Sequence, residues 1–431
     1  MPVNQGTSPF LNTPLIQPLN QLEETFKNQQ AKIDTWFNDQ WQTSAPPLYG
    51  SVDLRNAGFK LAPIDMNLFP AGFNNLNPEF FSLAVAAAKE ALLAILPSVK
   101  EILLIPEGHT RNLFYWENIA VLLKILNDAG FAVRLGGFLE EAVVITLESS
   151  QQLQIEPLLR EGNKLKVENF IPDLILLNND LSEGIPAILQ NLVQPVVPPT
   201  SLGWSERLKS VHFKYYAEVA EEFSTLLAFD PWLITPLFRY CAKVDFMQEQ
   251  GLDCVKHHAQ QLFEEIKRKY EQYHIPHQPF LIVKADAGTY GMAVMTLRDL
   301  KTLDTLNRKQ RTRMSSTKGG QAVNRVIIQE GIYSFESVGE EGAVAEPVAY
   351  LWGRQVVGGF YRINKSRSND ENLNSPGMHF TPIAFNDACD KPCHNKDDQP
   401  KNHFYAYGMI AKLSMLAAAR EMKDQIKRVK A

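Results

Sequence analysis

Lys284 sits at the end of a short apolar run, Phe280–Val283, and is followed by the small-residue loop Ala287-Gly288-Thr289-Tyr290-Gly291. Glycines let a backbone approach a ligand closely, and successive amide N–H groups in such a loop form a concave nest of donors for phosphate oxygens. A lysine at a strand end adds a mobile positive charge for the same anion. Two further stretches extend this chemistry. Arg308–Gln321, RKQRTRMSSTKGGQ, is basic and ends in small residues, which suits a flap over phosphates with Lys318 near its tip. Asn364–Met378 holds Asp370, Glu371, Asn372 and Asn374 before a Pro-Gly turn. These are the hard oxygen donors that Mg²⁺ takes alongside phosphates. Each stretch also has a plainer reading: a glycine-rich hairpin, a solvated basic face and an Asn-rich loop.

A second set of polar residues suits small-molecule recognition. Ser51–Asn77 places Asp53, Arg55, Lys60, Asp65, Asn67 and Asn74 among glycines, prolines and phenylalanines. It reads as a functional loop on a scaffold, or as a surface loop with local ion pairs. Glu107, His109, Arg111 and Asn112 directly follow the apolar run EILLIP. Arg111 suits bidentate clamping of a carboxylate; an ion pair with Glu107 at a helix start is the alternative.

The elements that must position these groups come in two styles. Pro78–Leu96 and Leu113–Ala129 have helical periodicity, while Glu101–Pro106, Phe131–Leu135, Ala142–Leu147 and Asp173–Leu177 read as strands. Alternating strands and helices predict an α/β sheet, with ligands beyond the carboxyl ends of its strands. After Lys284 the pattern changes to the strands Val326–Ile328, Ala345–Leu351 and Gln355–Ile363, an α+β arrangement. The expected organisation is therefore a helical arm over 1–48, a Rossmann-like α/β domain over 49–200 and an α+β domain over 201–431. Val193–Gly203 is proline-rich and reads as the crossover. Lys243–Tyr273 reads as one or two helices and Tyr405–Val429 as a C-terminal helix.

The bulk properties set bounds. The 431 residues are 45% hydrophobic and 21% charged, with net charge −5, so no basic field argues for nucleic acid. No apolar run approaches the ~18 residues of a membrane helix. The N-terminus lacks the order of a signal peptide, and four cysteines in so long a chain do not make a disulfide framework. A cytoplasmic protein with small-molecule partners is expected, and an oligomer is compatible with this. His257-His258 reads as a solvated pair rather than a metal site. Cys389, Cys393 and His394 lack a second pair of zinc ligands at suitable spacing.

In combination, VDLRNAGFKLAPIDMNLFPAGFNN, KADAGTYGM, AEPVAYL, GGFYRIN and ENLNSPGM resemble the proteobacterial type of glutamate–cysteine ligase. The order of motifs is similar to the ATP-grasp ligases. The resemblance spans the chain from about Pro47 to the C-terminal helix. It implies an ATP-grasp-type nucleotide-side domain over 201–431, with the α/β domain over 49–200 on the substrate side. It also implies ATP-dependent ligation of the glutamate γ-carboxylate to the cysteine amine, the first step of glutathione synthesis. It implies that Lys284 and Lys243 meet phosphates, with Gly288, Thr289, Tyr290 and Gly291 as a lid. Gln329, Glu330, Gly331 and Ile332 would flank adenine and Glu346 the ribose or the metal. Arg362 would stabilise the transferred phosphoryl group, and Glu371, Asn372 and Asn374 would hold Mg²⁺. The chain departs from the usual late Glu-x-Asn of ATP-grasp enzymes, having Asn372-Leu373-Asn374 in its place. Another ATP-grasp carboxylate–amine ligase and a non-catalytic binding protein on the same scaffold are the alternatives.

Overall fold

The computed structural model describes residues 10–11, 13–108, 112–288, 293–316, 322–339, 342–383 and 403–430. The expected roles of His109, Arg111, Thr289, Tyr290, Gly291 and Lys318 lie outside the described residues, as do Cys389, Cys393 and His394.

Glu101–Pro106 and Leu174–Asn178 are apolar on consecutive positions because both of their faces are covered. Ile102 and Leu104 face one core, and Leu103 and Ile105 face another. The two strands pair in parallel, Ile102 opposite Leu174 through Pro106 opposite Asn178. They are central in a six-stranded sheet ordered Val196–Val197, Leu174–Asn178, Glu101–Pro106, Ala132–Gly137, Gln152–Pro157 and Val143–Thr146. Every neighbouring pair is parallel except the last. The helices Phe81–Ile95 and Leu113–Asp128 bury Ala84, Ala88, Leu92, Ile119 and Leu122 in the core shared with Ile102 and Leu104.

The strand Leu281–Ala285, which carries Lys284, belongs to a four-stranded antiparallel sheet, ordered Phe238–Ala242, Arg325–Glu330, Leu281–Ala285 and Val294–Leu297. The helix Leu252–Gln272 puts Val255, Ala259, Leu262 and Ile266 into one core with Leu281, Val283, Val326 and Ile328. Lys243–Tyr273 is thus a turn and a single helix. The strand Phe238–Ala242, with one charged and two aromatic residues among its five, has no clear alternation to announce it.

The third sheet is the largest departure from expectation. Ser51–Asn77 is not a loop: Tyr49–Asn56 and Leu61–Asn67 are antiparallel strands. Tyr49–Asn56 pairs with Ala343–Trp352, Asp53 opposite Val348. Ala343–Trp352 also pairs with Gln355–Asn364, Glu346 opposite Arg362. With Phe10–Leu11, Glu336–Val338 and His379–Pro382 these make seven strands. The expected boundaries at 48/49 and 200/201 therefore cut across this sheet. The alternation of these two strands is hidden in the sequence because their polar side chains are needed inside the molecule.

The helix Phe404–Lys430 lies over this sheet and against the helix Lys209–Leu227. Between them, Arg207 donates to both carboxylate oxygens of Glu421 at 3.0 and 2.9 Å, with all but 1% of either side chain buried. Burial would raise the Glu421 carboxyl, but Arg207 and His212 outweigh it and hold it at about 2. Arg207 Nη1 also donates to the Met66 carbonyl at 2.9 Å, which ties this pair to the outer strand of the hairpin. Among the described residues, no helix is long and apolar enough to cross a membrane.

Candidate active site

The three sheets meet around a cavity of about 380 Å³. The hairpin Tyr49–Asn67 contributes Asp53, Arg55, Asp65 and Asn67 to its wall, and the four-stranded sheet contributes Lys284, Gln329, Glu330 and, just beyond the strand, Ile332. Glu346 and Arg362 come from adjacent long strands, and Glu107 and Asn112 from the carboxyl edge of the parallel sheet. Asn372 and Asn374 complete the polar wall. Sequence reasoning thus named groups from regions as far apart as Asp53 and Arg362, and they converge.

At the centre, Arg362 Nη1 donates to Asp53 Oδ2 at 3.0 Å and to Glu346 Oε1 at 2.6 Å. The pairing of Ala343–Trp352 with Gln355–Asn364 sets Glu346 directly opposite Arg362. Burial pushes the Asp53 carboxyl up, and Arg362 opposes the rise. Burial also weighs against the Arg362 guanidinium, but Asp53 and Glu346 more than offset it. Arg55 holds the other side of Glu346, Nε to Oε2 at 3.2 Å, and donates to the Ile332 carbonyl at 3.0 Å and to the Glu371 carbonyl. Its guanidinium is therefore a brace between three segments rather than a free carboxylate clamp.

Lys284 donates to the Ile64 carbonyl at 2.6 Å. Burial lowers its ammonium to about 8, and the Asp65 carboxylate limits the fall. Asp65 in turn accepts from Lys209 Nζ at 2.9 Å on both oxygens. Withdrawal from solvent would raise Asp65, but Lys209 and Lys284 outweigh it and hold the carboxyl well below its ordinary range. The Lys209 ammonium also lies 3.9 Å from the Trp204 ring centroid, a cation–π contact.

Several expected roles are corrected. Lys60 is buried, 2.7 Å from Glu330 Oε2 and over the Trp232 ring at 4.1 Å. Trp232 Nε1 and the Leu237 amide complete the Glu330 carboxylate. Lys60 and Glu330 are thus each other's partners, and Lys60 does not reach the cavity. Lys243 is exposed on the turn after Phe238–Ala242 with φ +59°, away from the cavity wall. Asn74 sits in a 3₁₀ turn outside the wall. Glu371 Oε2 accepts from the backbone and hydroxyl of Ser368, and Oε1 lies 3.5 Å from Arg367. The carboxylate thus serves its own loop, and only its carbonyl, through Arg55, joins the site. Gly288 has φ +94° but does not line the cavity. Gly331 is required by packing, since a Cβ there would lie 2.2 Å from the Phe280 ring. Asn112 caps the helix Leu113–Asp128, accepting from the Tyr115 amide at 3.3 Å, so it is structural as well as cavity-facing.

Other wall residues had no sequence signal strong enough to find them. Asn118 accepts from the amides of Gly72 and Phe73 at 2.8 and 2.9 Å. Tyr115 accepts from the Glu107 amide at 2.8 Å and donates to the Asn178 carbonyl at 2.9 Å. Asn178 reaches the Pro70 carbonyl at 2.9 Å. This network fastens the segment after the hairpin to the carboxyl edge of the parallel sheet. Gly72, with φ +152°, makes the approach possible, because a Cβ would meet the Tyr350 hydroxyl at 2.6 Å. Phe114 and Phe380, stacked at 5.8 Å, form an apolar patch of the wall with Phe360.

A buried anion fits this wall. Arg362 Nε and Gln329 Nε2 are buried donors with no hydrogen-bond partner among the described residues, and leaving such groups unmet is costly. The cavity is lined by cations at Lys284, Arg55 and Arg362, by carboxylates at Asp53 and Glu346, and by amide groups at Asn372 and Asn374. Cations and carboxylates around a partly open cavity suit small charged substrates.

The chain belongs to the glutamate–cysteine ligase family: the family model GshA, glutamate-cysteine ligase, matches residues 23–422. It is accordingly a ligase of glutathione biosynthesis that joins glutamate to cysteine, in a family that uses ATP. A crystal structure from Methylobacillus flagellatus KT, described provisionally as a gamma-glutamylcysteine synthetase, is 47% identical, with a TM-score of 0.90. The match covers 97% of this chain and 99% of that one. A glutathione synthetase-like effector from Globodera pallida is 12% identical with a TM-score of 0.36, over 85% of this chain and 81% of that one. D-alanyl-alanine synthetase A from Vibrio cholerae is 10% identical with a TM-score of 0.34, over 74% and 81%. No curated protein sequence matches the chain.

Proposed function

We propose that this cavity binds ATP, glutamate and cysteine together and joins the glutamate γ-carboxylate to the cysteine amine through an acyl phosphate. The carrying observation is that Lys284 and Arg362, from different sheets, line one cavity with Asp53 and Glu346. A carboxylate is a poor acyl donor because oxide would have to leave. Transfer of the γ-phosphoryl group of ATP to it supplies a leaving group. Attack of one anion on another calls for fixed positive charge, and catalysis of this kind is positioning plus electrostatics.

In this reading the four-stranded sheet with its neighbouring loops is an ATP-grasp-type nucleotide site. Lys284 holds phosphate oxygens, and Gln329 to Ile332 flank the base. Arg362 neutralises charge on the phosphoryl group in flight. Asp53, a carboxylate held by Arg362 and made more basic by burial, is placed to take the proton that the cysteine ammonium gives up. Glu107 and the apolar wall of Phe114, Phe360 and Phe380 face the amino acids. Mg²⁺ is the fitting cation for hard oxygens at Glu346, Asn372 and Asn374, where it would bind phosphate oxygens. The hairpin and the parallel sheet form the substrate side. A reducing cytoplasm suits a thiol substrate.

The test is ADP release by the purified protein over a panel of amino acids with Mg²⁺. Glutamate plus cysteine should release ADP well above glutamate alone, with γ-glutamylcysteine identified by mass. Equal release with a different acid or amine, or an α-linked product, would refute the assignment.

A further inference from the structure

The helix Leu252–Gln272 packs beside the strand Phe238–Ala242, and three soft ligand atoms meet between them, away from the cavity. Cys254 and His258 are one helical turn apart and share a face. That face meets Cys241 on the strand. Cys241 Sγ lies 2.6 Å from Cys254 Sγ and 3.3 Å from His258 Nδ1, and Cys254 Sγ lies 3.8 Å from the same nitrogen. Cys241 is buried and Cys254 reaches the surface. The His258 ring also hydrogen-bonds the backbone of Tyr240.

We propose that Cys241, Cys254 and His258 form a binding site for a soft divalent cation, with Zn²⁺ the best fit. With Zn–S of ~2.3 Å and Zn–N of ~2.0 Å, a tetrahedral ion sets sulfur–nitrogen separations near ~3.5 Å and sulfur–sulfur near ~3.8 Å. The two sulfur–nitrogen distances bracket the first value. Rotation of the Cys254 side chain at the surface opens the sulfur pair to the second. Thiolate and imidazole select Zn²⁺ over the Mg²⁺ suited to the cavity's oxygens. The bond from His258 to the Tyr240 backbone is the kind of contact that orients a ligating imidazole. Among the described residues, this trio is the group of His, Cys, Asp and Glu whose ligand atoms all fall within 4.8 Å of one another. Binding replaces two thiol protons, releasing two H⁺ per ion, and leaves the fourth position for water. The ion closes the turn between strand and helix, in which Lys243, Glu249 and Gly251 all have positive φ. Its role is structural, because none of the three ligands lines the cavity.

The full chain, stripped of metal and kept reduced with a phosphine, is titrated with Zn²⁺ against a chromogenic chelator and separately with Co²⁺. One equivalent of Zn²⁺ should bind, with a thiolate-to-Co²⁺ charge-transfer band and protection of Cys241 and Cys254 from alkylation. Cys254→Ser and His258→Ala should each weaken Zn²⁺ binding at least ~10-fold, and Cys254→Ser should keep ligase turnover. A Cys389→Ser/Cys393→Ser variant should bind as the parent does. Four outcomes would each overturn the site: no Zn²⁺ bound at micromolar free ion, a charge-transfer band that survives the double substitution Cys241→Ser/Cys254→Ser, loss of binding in the Cys389/Cys393 variant, or a Cys241–Cys254 disulfide whose reduction restores no metal affinity.

Discussion

Lys209 Nζ lies 2.9 Å from both carboxylate oxygens of Asp65. Asp65 is also the charge that most opposes the fall of the buried Lys284 ammonium. A lysine on the helix Lys209–Leu227 thus shares, through one carboxylate, in setting the charge of the lysine on the strand Leu281–Ala285.

That coupling predicts a pH dependence. In the proposed function Lys284 holds phosphate as a cation, and burial lowers its ammonium to about 8, so kcat/KM should fall as pH rises through about 8. Asp65→Asn removes the attraction that holds the proton. The alkaline limb should then move to lower pH, with a larger change in KM for ATP than in KM for glutamate. An unmoved limb would separate Lys284 from the phosphate.

Arg362 bridges Asp53 and Glu346 from a fixed register and leaves Nε free for an anion. Arg362→Ala should lower kcat by about 10²- to 10³-fold, the scale of losing one donor aimed at developing charge. Equilibrium binding of an ATP analogue should change much less. Arg362→Lys should recover little of the loss, because a point charge cannot hold two carboxylates and still face the phosphoryl group. Single-turnover kinetics alongside analogue binding would distinguish these outcomes.

Lys60 and Glu330 are buried and mutually dependent. Lys60→Met strands the Glu330 carboxylate, and breaking such a pair costs about 3–5 kcal/mol. Urea denaturation should show that loss, while KM for glutamate stays within about twofold of the parent. A large rise in KM with unchanged stability would instead return Lys60 to the substrate.

Glu421 predicts acid sensitivity of the fold. Its folded carboxyl sits at about 2, below the ~4.3 of an unfolded glutamate. Between these values the unfolded chain binds more protons. The contribution is therefore fully present above about pH 5 and is lost as pH falls toward 2. Glu421→Gln leaves Arg207 buried without its counter-charge, so the variant should be less stable at pH 7. Its stability should also decline less steeply from pH 5 to pH 3. Parallel decline in both proteins would place the acid-sensitive group elsewhere.

The legible parts of this chain are those whose function and burial ask for the same residues. The strand ending in Lys284 announces itself because Phe280–Val283 is apolar for the core and its single charge comes last. The runs Glu101–Pro106 and Leu174–Asn178 are legible for the same reason. Tyr49–Asn67 is misread as a loop because Asp53, Arg55 and Asp65 occupy strand positions that face the cavity, so charge stands where alternation demands apolar residues. Lys60 and Glu330 look like ligand contacts because nothing local shows that each neutralises the other. Lys209 and Trp204 carry no motif, and their place follows only from the packing of Lys209–Leu227 on the C-terminal helix. Cys241 lies outside the one helical turn that links Cys254 with His258, so that group emerges only when the strand is laid against the helix.

The hairpin Tyr49–Asn67 bears on how the protein is made. Asp53 and Arg55 are translated early, yet their partners Arg362 and Glu346 lie 309 and 291 residues later. Until those strands leave the ribosome, the hairpin has no sheet to join, and Asp53 and Arg55 lack these partners. Pairings of such sequence separation slow folding. The nascent chain therefore waits with Asp53 and Arg55 still in water, and the central ion pairs of the cavity form only once the last long strands are made.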